Sequence, residues 1–297
     1  MKFRNDQGLP VALHQFLTYN DYNLGGPKFD ISATKLMDST QIAKFWKEHG
    51  REVEEDSSTR LYSSMGSGIH SRFEAANASN PDVMMEKRYL AELPHPIKGN
   101  DPLVLSGQID AYDFKTKTIA DLKTVSAWKI VMGDYSSFEK QLNICAYLMK
   151  QNGFEVEALQ VYALVRDWSK GRQGERNYPM QPIQVIDIEM WSEEEQLNYI
   201  TERLSLHFGE GKKWCTDEER WMKAGSFAVK DSKKKRALRV LPTQEKADQW
   251  IASQGLADKK GISVEVRPAT YMRCANYCAF GTMGVCEQFN QDKGGNL

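Results

Sequence analysis

Apolar and polar residues along the chain alternate with two different periods, and each period marks a set of elements. Apolar residues three and four apart predict helices over residues 35–49, 137–152, 192–208 and 243–253, and a further helix is expected at 65–74. Runs rich in β-branched and aromatic residues predict strands at 86–93, 103–111, 118–125, 156–166, 183–190 and 262–266. A turn at 113–117 joins two of these strands, and a basic turn at 230–236 joins a shorter hairpin, 227–230 with 237–241. Gly153 follows the helix that starts near Ser137, where a C-terminal glycine belongs. Ser192 caps the next helix, and Glu193, Glu194 and Glu195 fill the first turn, which the helix dipole favours. Residues 1–30 scatter Gly and Pro among aromatics and predict an irregular arm with one short helix at 10–19; residues 51–59 read as a charged loop. A Gly/Lys connection at 209–214 marks a boundary. The expected organisation is an arm and helix at 1–60, a mixed α/β (α+β) core in αβββαβ order at 61–210, and a small ββαβ module at 211–297.

Bulk composition narrows the classes. Apolar residues are 41% and charged residues 27% of 297, ordinary for a globular chain. A net charge of −1 excludes a global basic field, so any nucleic-acid contact has to use local patches. Apolar runs of eighteen residues are absent and the first residues lack a signal-peptide core, so the expectation is no membrane partner and a cytoplasmic location. Five cysteines, three of them clustered late in the chain, favour metal over disulfide in a reducing compartment.

Three short pieces concentrate the chemistry. Gly107-Gln108-Ile109-Asp110 ends one strand of a hairpin, and Asp121-Leu122-Lys123 lies on the next. Asp121 and Lys123 are two apart, so they leave the same face of the sheet. Asp110 on the partner strand is expected to reach the same spot. Two carboxylates and a lysine at a sheet end suit a hard divalent cation beside a phosphate. Gln141 and Leu142 then open an apolar helix.

In this order the pieces resemble the PD-(D/E)XK nuclease superfamily, and within it RecB-type nucleases, with the pattern G-x-x-D, D/E-x-K, Q-h-x-x-Y. Cys145 stands at the motif's tyrosine, with Tyr147 two residues later. The resemblance implies a metal-dependent DNA nuclease, exonucleolytic, acting in recombination, repair or phage replication, with DNA and a recombination or replication protein as partners. It implies Mg²⁺ or Mn²⁺ held by Asp110, Asp121, His70 and the backbone carbonyl of Leu122, with Lys123 at the attacking water and Gln141 orienting the lysine or the DNA. His70 enters through Gly66-x-x-x-His70-x-x-x-Glu74, which resembles the helix before the sheet in these nucleases; Glu74 shares its helical face and orients it or faces solvent. Stretches 30–36, 163–170 and 215–221 also resemble a phage-encoded RecB-like group. The rival reading is a non-catalytic DNA-binding or complex-scaffolding protein that keeps the nuclease fold.

Two further clusters stand apart. Arg166, Trp168, Lys170 and Arg172 combine cations with an aromatic ring, a pattern that can grip a DNA strand or form an ordinary solvated loop around a buried tryptophan. Cys274, Cys278 and Cys286 are spaced C-x₃-C-x₇-C, and a fourth ligand is needed, for which Cys215 is the candidate. The triplet resembles that of RecB-type nucleases carrying an iron–sulfur cluster, which implies a 4Fe–4S centre. The spacing differs, and the lone cysteine follows the core instead of preceding it, which leaves Zn²⁺ open.

Overall fold

The structure, a computed structural model, describes residues 2–19, 27–99, 101–210 and 214–294. The chain divides into two compact units, one of residues 1–38 and 46–212, the other of residues 39–45 and 213–297. The elements up to the division near 212 are β1 (Lys2–Arg4), α1 (Val11–Thr18), β2 (Ile31–Ser32), α2 (Ala33–Met37), α3 (Thr40–His49), β3 (Glu54–Asp56), α4 (Leu61–Asn77), β4 (Val83–Leu93), β5 (Leu103–Asp113), β6 (Thr118–Val125), α5 (Ala127–Met132), α6 (Ser136–Gln151), β7 (Ala158–Val165), β8 (Ile183–Ile188) and α7 (Glu193–Phe208).

The succession α4, β4, β5, β6, α6, β7 is the expected αβββαβ order. Strand β5 is paired on both edges in the six-stranded sheet. On one edge it pairs with antiparallel β4 along its length. Its other edge is shared: parallel β2 covers Leu105 and Ser106, and antiparallel β6 covers Ala111 to Asp113. Residues 107–110 lie between, with no ladder partner on that side. Strand β6 continues against parallel β7, and β7 against antiparallel β8.

Helix α6 covers one face of this sheet. Every residue from Leu142 to Met149 is buried, so the helix is sealed all round. Leu142, Cys145, Ala146 and Met149 meet Ile109, Tyr112, Ile119, Val161 and Ala163, while Ile144 and Leu148 meet Leu36, Leu105 and Ile200. Each such aliphatic side chain contributes roughly 1.5–3 kcal/mol. The helix comes so close that a Cβ on Gly107 would stand 2.5 Å from Leu148 Cδ1. The glycine of G-x-x-D thus lets the helix lie close on the sheet, where a methyl group would displace the Leu148 side chain. Phe73 of α4 packs with Met85, Ala111, Ala120 and Tyr162, residues of another face.

A break in alternation prepares the site. On β4, Met84 and Tyr89 both join the core under α6 although they are five residues apart; on β5, Ile109 and Tyr112 do so three apart. A regular strand cannot place residues of opposite parity on one face. The chain switches face between them, at Glu86 on β4 and near Asp110 on β5. Glu86 has φ of +49°, a left-handed conformation that is rare for glutamate. The register about it, Met85 with Ala111 and Lys87 with Ile109, sets Glu86 opposite Asp110.

Several sequence expectations are corrected. The helix expected at 35–49 is two helices, because Asp38 is extended and Ser39 Oγ accepts the backbone N–H of Ile42 at the start of α3. The arm and the loop at 51–59 are not wholly irregular: β1 and β3 pair in parallel, and their charged, exposed residues hid this from hydrophobic patterning. The first core strand begins at Val83 rather than at 86, and the short α5 was not foreseen.

The second unit holds β9 (Met222–Lys223), β10 (Ser226–Asp231), β11 (Arg239–Leu241), α8 (Gln244–Ser253), β12 (Ile262–Arg267), β13 (Thr270–Tyr271), α9 (Met272–Asn276), α10 (Ala279–Thr282) and α11 (Glu287–Gly294). Strands β11, β10 and β12 form an antiparallel sheet, with α8 against β10 and β11, the expected ββαβ succession. Phe280, fully buried, packs its ring 5.3 Å from Phe45. Among the described residues no helix is long and apolar enough to cross a membrane.

Candidate active site

The opening along β5 becomes a cleft of about 650 Å³ bounded by Thr34, His70, Glu86, Arg88, Asp110 and Gln141, among others. Where the β5–β6 ladder stops, Asp110 replaces a main-chain partner: its Oδ2 accepts the backbone N–H of Leu122 at 2.9 Å. His70 projects from α4 and places Nδ1 3.4 Å from Glu86 Oε1 and 3.5 Å from Asp110 Oδ2. One ligand atom from each of His70, Glu86 and Asp110 lies within 4.8 Å of the others. One nitrogen and two carboxylate oxygens suit a divalent cation of the Mg²⁺ or Mn²⁺ type.

Asp121 is outside that group of three. It is 5% exposed, and Lys123 Nζ lies 2.7 Å from its carboxylate while Gln141 Nε2 donates to Oδ1 at 3.0 Å. Asp121 Oδ2 is buried and faces the Lys123 ammonium at 2.7 Å, so the ion pair and the Gln141 hydrogen bond together engage both carboxylate oxygens. Leu122 turns its side chain to another cluster of residues and gives its N–H to Asp110.

The charges are coupled. Burial first, and then the Asp121 charge, push the Asp110 carboxyl from 3.8 up to about 6. The hydrogen bond to Glu86 holds His70 above its ordinary value, against burial. Burial works against the Glu86 carboxylate, but hydrogen bonds from His70 and Gln108 keep it below the usual range. Burial also opposes the Lys123 charge, yet Asp121 and Asp110 hold the ammonium above its ordinary value. Lys123 is thus a fixed cation and hydrogen-bond donor, not a free amine.

One expected outcome follows from Asp110. A carboxyl raised in the folded state binds its proton more tightly there than in the unfolded chain, between about pH 4 and 6. Its contribution favours folding below that window and is lost as pH rises through it. Asp110→Asn will therefore raise the stability of metal-free protein at pH 8, by up to about 3 kcal/mol, and the gain will vanish near pH 4. Thermal melts in EDTA across this range check it; an equal gain at both ends would contradict it.

Two residues of the cleft were missed by sequence reasoning. Glu86 supplies the third ligand atom, and Arg88 presents a guanidinium that donates to Ser106 Oγ at 2.8 Å and Gln108 Oε1 at 2.7 Å. The signal was present: Glu86, Lys87 and Arg88 put three charges in succession inside an apolar strand. Glu74 also lines the cleft. Cys145 is buried between Gly107 and the carboxylates, and burial raises its thiol far above the ordinary range.

The basic loop after β7 is largely engaged within the fold. Trp168 packs against the core and donates Nε1–H to the Pro179 carbonyl at 2.9 Å, so it is no free stacking platform. Arg172 pairs with Glu175 at 2.8 Å and stacks on Tyr178. Arg166 lies over the Tyr62 ring at 4.7 Å, and Lys170 is exposed.

In the second unit Cys215, Cys274, Cys278 and Cys286 all line one small cavity, with Ile42, Phe45 and Phe289. Gln41 and Gln288 each accept the backbone N–H of Cys215 at 3.0 Å, and Ser39 Oγ lies 3.0 Å from its sulfur. Burial pushes the Cys215 thiol up to about 12 and raises Cys286 as well. Among the described residues no three of these sulfurs fall within 4.8 Å of one another.

No protein-family model matches the chain, and no curated protein does. Among solved structures, SSO0001 aligns with 72% of this chain and 93% of its own, at 16% identity and a TM-score of 0.48. A phage-related exonuclease from Haemophilus somnus 129PT aligns over 57% and 77%, at 13% identity and a TM-score of 0.37. LHK-Exo in complex with dAMP aligns over 60% and 85%, at 12% identity and a TM-score of 0.32. These are partial likenesses of fold. The succession of helix, three strands, helix and strand around one mixed sheet is the fold class expected from the sequence.

Proposed function

We propose that the protein is a divalent-metal-dependent deoxyribonuclease, acting exonucleolytically on DNA in recombination, repair or phage replication. The convergence of His70, Glu86 and Asp110 beside the Asp121–Lys123–Gln141 triplet carries this reading. His70, Glu86 and Asp110 would hold Mg²⁺ or Mn²⁺, with Asp121 and the Leu122 carbonyl completing the set. When bound, the ion lowers the pKa of water and neutralises phosphate charge. Lys123, kept protonated, donates to the oxygen on which charge develops. Gln141 fixes the Asp121 carboxylate so that Lys123 cannot swing away. Arg88, in the same cleft, suits a neighbouring phosphate of the strand. The test is incubation of pure protein with end-labelled single- and double-stranded DNA in Mg²⁺, Mn²⁺ or EDTA. Metal-dependent release of nucleotides is expected; DNA binding with no cleavage in either metal would favour the scaffolding alternative.

The four cysteines are read as a second, structural metal centre, a 4Fe–4S cluster in preference to Zn²⁺. Four thiolates at about 2.3 Å from one zinc stand roughly 4 Å apart. The four cysteines line one small cavity here, and the preference for the cluster rests on the resemblance of the C-terminal triplet. Cys274→Ser will loosen the second unit and leave the α4–β8 core folded. Anaerobically purified protein will be brown and contain iron and acid-labile sulfide, and the variant will have lost both; a colourless, zinc-containing protein would decide for the other metal.

A further inference from the structure

The basic turn between β10 and β11 has no part in either centre, yet it is the densest charge in the chain. Residues 223–267 contain eleven Lys and Arg against five Asp and Glu, a net of +6 in a chain whose total is −1. Two of the five acids there are spent on ion pairs. Asp231 pairs with Lys259 at 2.9 Å, and Glu265 pairs with Lys230 and Arg267. Lys233, Lys234, Lys235, Arg236, Arg239 and Lys260 are exposed and, among the described residues, enter no ion pair.

The turn is built, not loose. Asp231 is 3% exposed and accepts the backbone N–H of Lys233 at 3.0 Å, and its carbonyl accepts that of Lys234 at 2.8 Å. Ser232 N–H donates to the Gly261 carbonyl at 2.8 Å, which ties the β10–β11 turn to the α8–β12 loop carrying Lys260. Gly261 has φ of +89°, and a Cβ there would meet Ser232 Oγ at 2.4 Å, so the two loops pack closely. A buried aspartate spent on holding a run of unpaired cations costs electrostatic repulsion that folding alone does not require.

We infer that this end of the three-stranded sheet is a binding site for the phosphate backbone of nucleic acid, independent of sequence. Closely spaced, unneutralised cations on a fixed turn match successive phosphates, and each contact releases counterions. The four turn residues Lys233 to Arg236 offer ammonium and guanidinium groups without an apolar anchor, which argues against an acidic protein as the partner. The inference deepens the nuclease reading by giving the substrate a second hold.

The probe is a fluorescein-labelled 30-base-pair DNA duplex, titrated by anisotropy into the full chain in EDTA over a range of salt. Binding measured without metal is independent of cleavage, so a chain that binds but never cuts would defeat the nuclease reading and not this one. Replacing Lys233, Lys234, Lys235 and Arg236 with Ala should weaken binding at least tenfold. It should also flatten the plot of log affinity against log salt by about 2–4 units of slope. Replacing the three lysines by Arg should preserve both. An unchanged affinity and slope in the alanine variant would overturn the site. So would tighter binding of the wild type to phosphatidylserine vesicles or to a polyglutamate peptide than to the duplex.

Discussion

Asp121→Asn and Lys123→Ala will each lower metal-dependent DNA cleavage by roughly 10²- to 10³-fold, the scale of losing one positioned electrostatic or acid–base group. Asp121 is 5% exposed and its carboxylate lies 2.7 Å from Lys123 Nζ, so neither charge is replaced by water when its partner is removed. Asn keeps the shape and still accepts from Gln141, which confines the loss to charge. Lys123→Ala removes the donor and also leaves a buried carboxylate without its counter-ion, a change that costs stability as well. Initial rates on end-labelled DNA, read beside thermal melts of the same preparations, separate the two effects. Wild-type rates in both variants would remove these residues from the chemistry.

The second large effect belongs to Glu86. Glu86→Gln keeps the volume and loses one of the anionic ligands, so Mn²⁺ affinity measured by calorimetry should fall by about 10–100-fold or more, with cleavage falling alongside. The backbone offers a check that is independent of metal. Glu86 holds φ of +49°, where a side chain strains the chain and glycine does not. In a strand, glycine is normally the less stable choice than alanine by roughly 0.5–1 kcal/mol. At position 86 the order should reverse, with metal-free Glu86→Gly melting above Glu86→Ala. The usual order would mean that the face switch does not need the left-handed residue, and the account of how β4 delivers its carboxylate would fail.

Much of this was written in the sequence, and the exceptions share a cause. The strands 103–111 and 118–125 and the helix after Ser136 announce themselves because burial on more than one face fills them with apolar residues. Asp110, Asp121 and Lys123 could be singled out because they put charge within those buried runs, and Gln141 because its place at the head of the helix fits the resembling motif. Glu86 also interrupts one, but its partnership with His70 and Asp110 depends on a left-handed residue and on register with β5, and neither has a local signature. Trp168 shows the reverse limit: an aromatic among arginines and lysines suggests stacking on a base, while the fold uses it to fill the core. Pairing of β1 with β3 went unseen because backbone hydrogen bonds between exposed charged strands leave no hydrophobic trace.

Residues 39–45 belong to the unit built otherwise from residues 213–297, and this has a consequence for synthesis on the ribosome. At about 5–20 residues per second, the partners of Gln41, Cys215 and Cys286, emerge roughly ten to fifty seconds after it does. During that interval the αβββαβ core can form, while Ile42, Phe45 and the side chain that will accept the Cys215 N–H wait without their contacts. The newborn chain therefore displays a short amphipathic segment as a temporary sticky end. A fragment stopped near residue 212 would keep it permanently, and such truncations should aggregate although their core is intact. A fragment of 213–297 expressed alone would lack Ser39 and Gln41, two of the groups that pin Cys215. The cysteine cavity is thus a late checkpoint, closing only when the whole chain has been made.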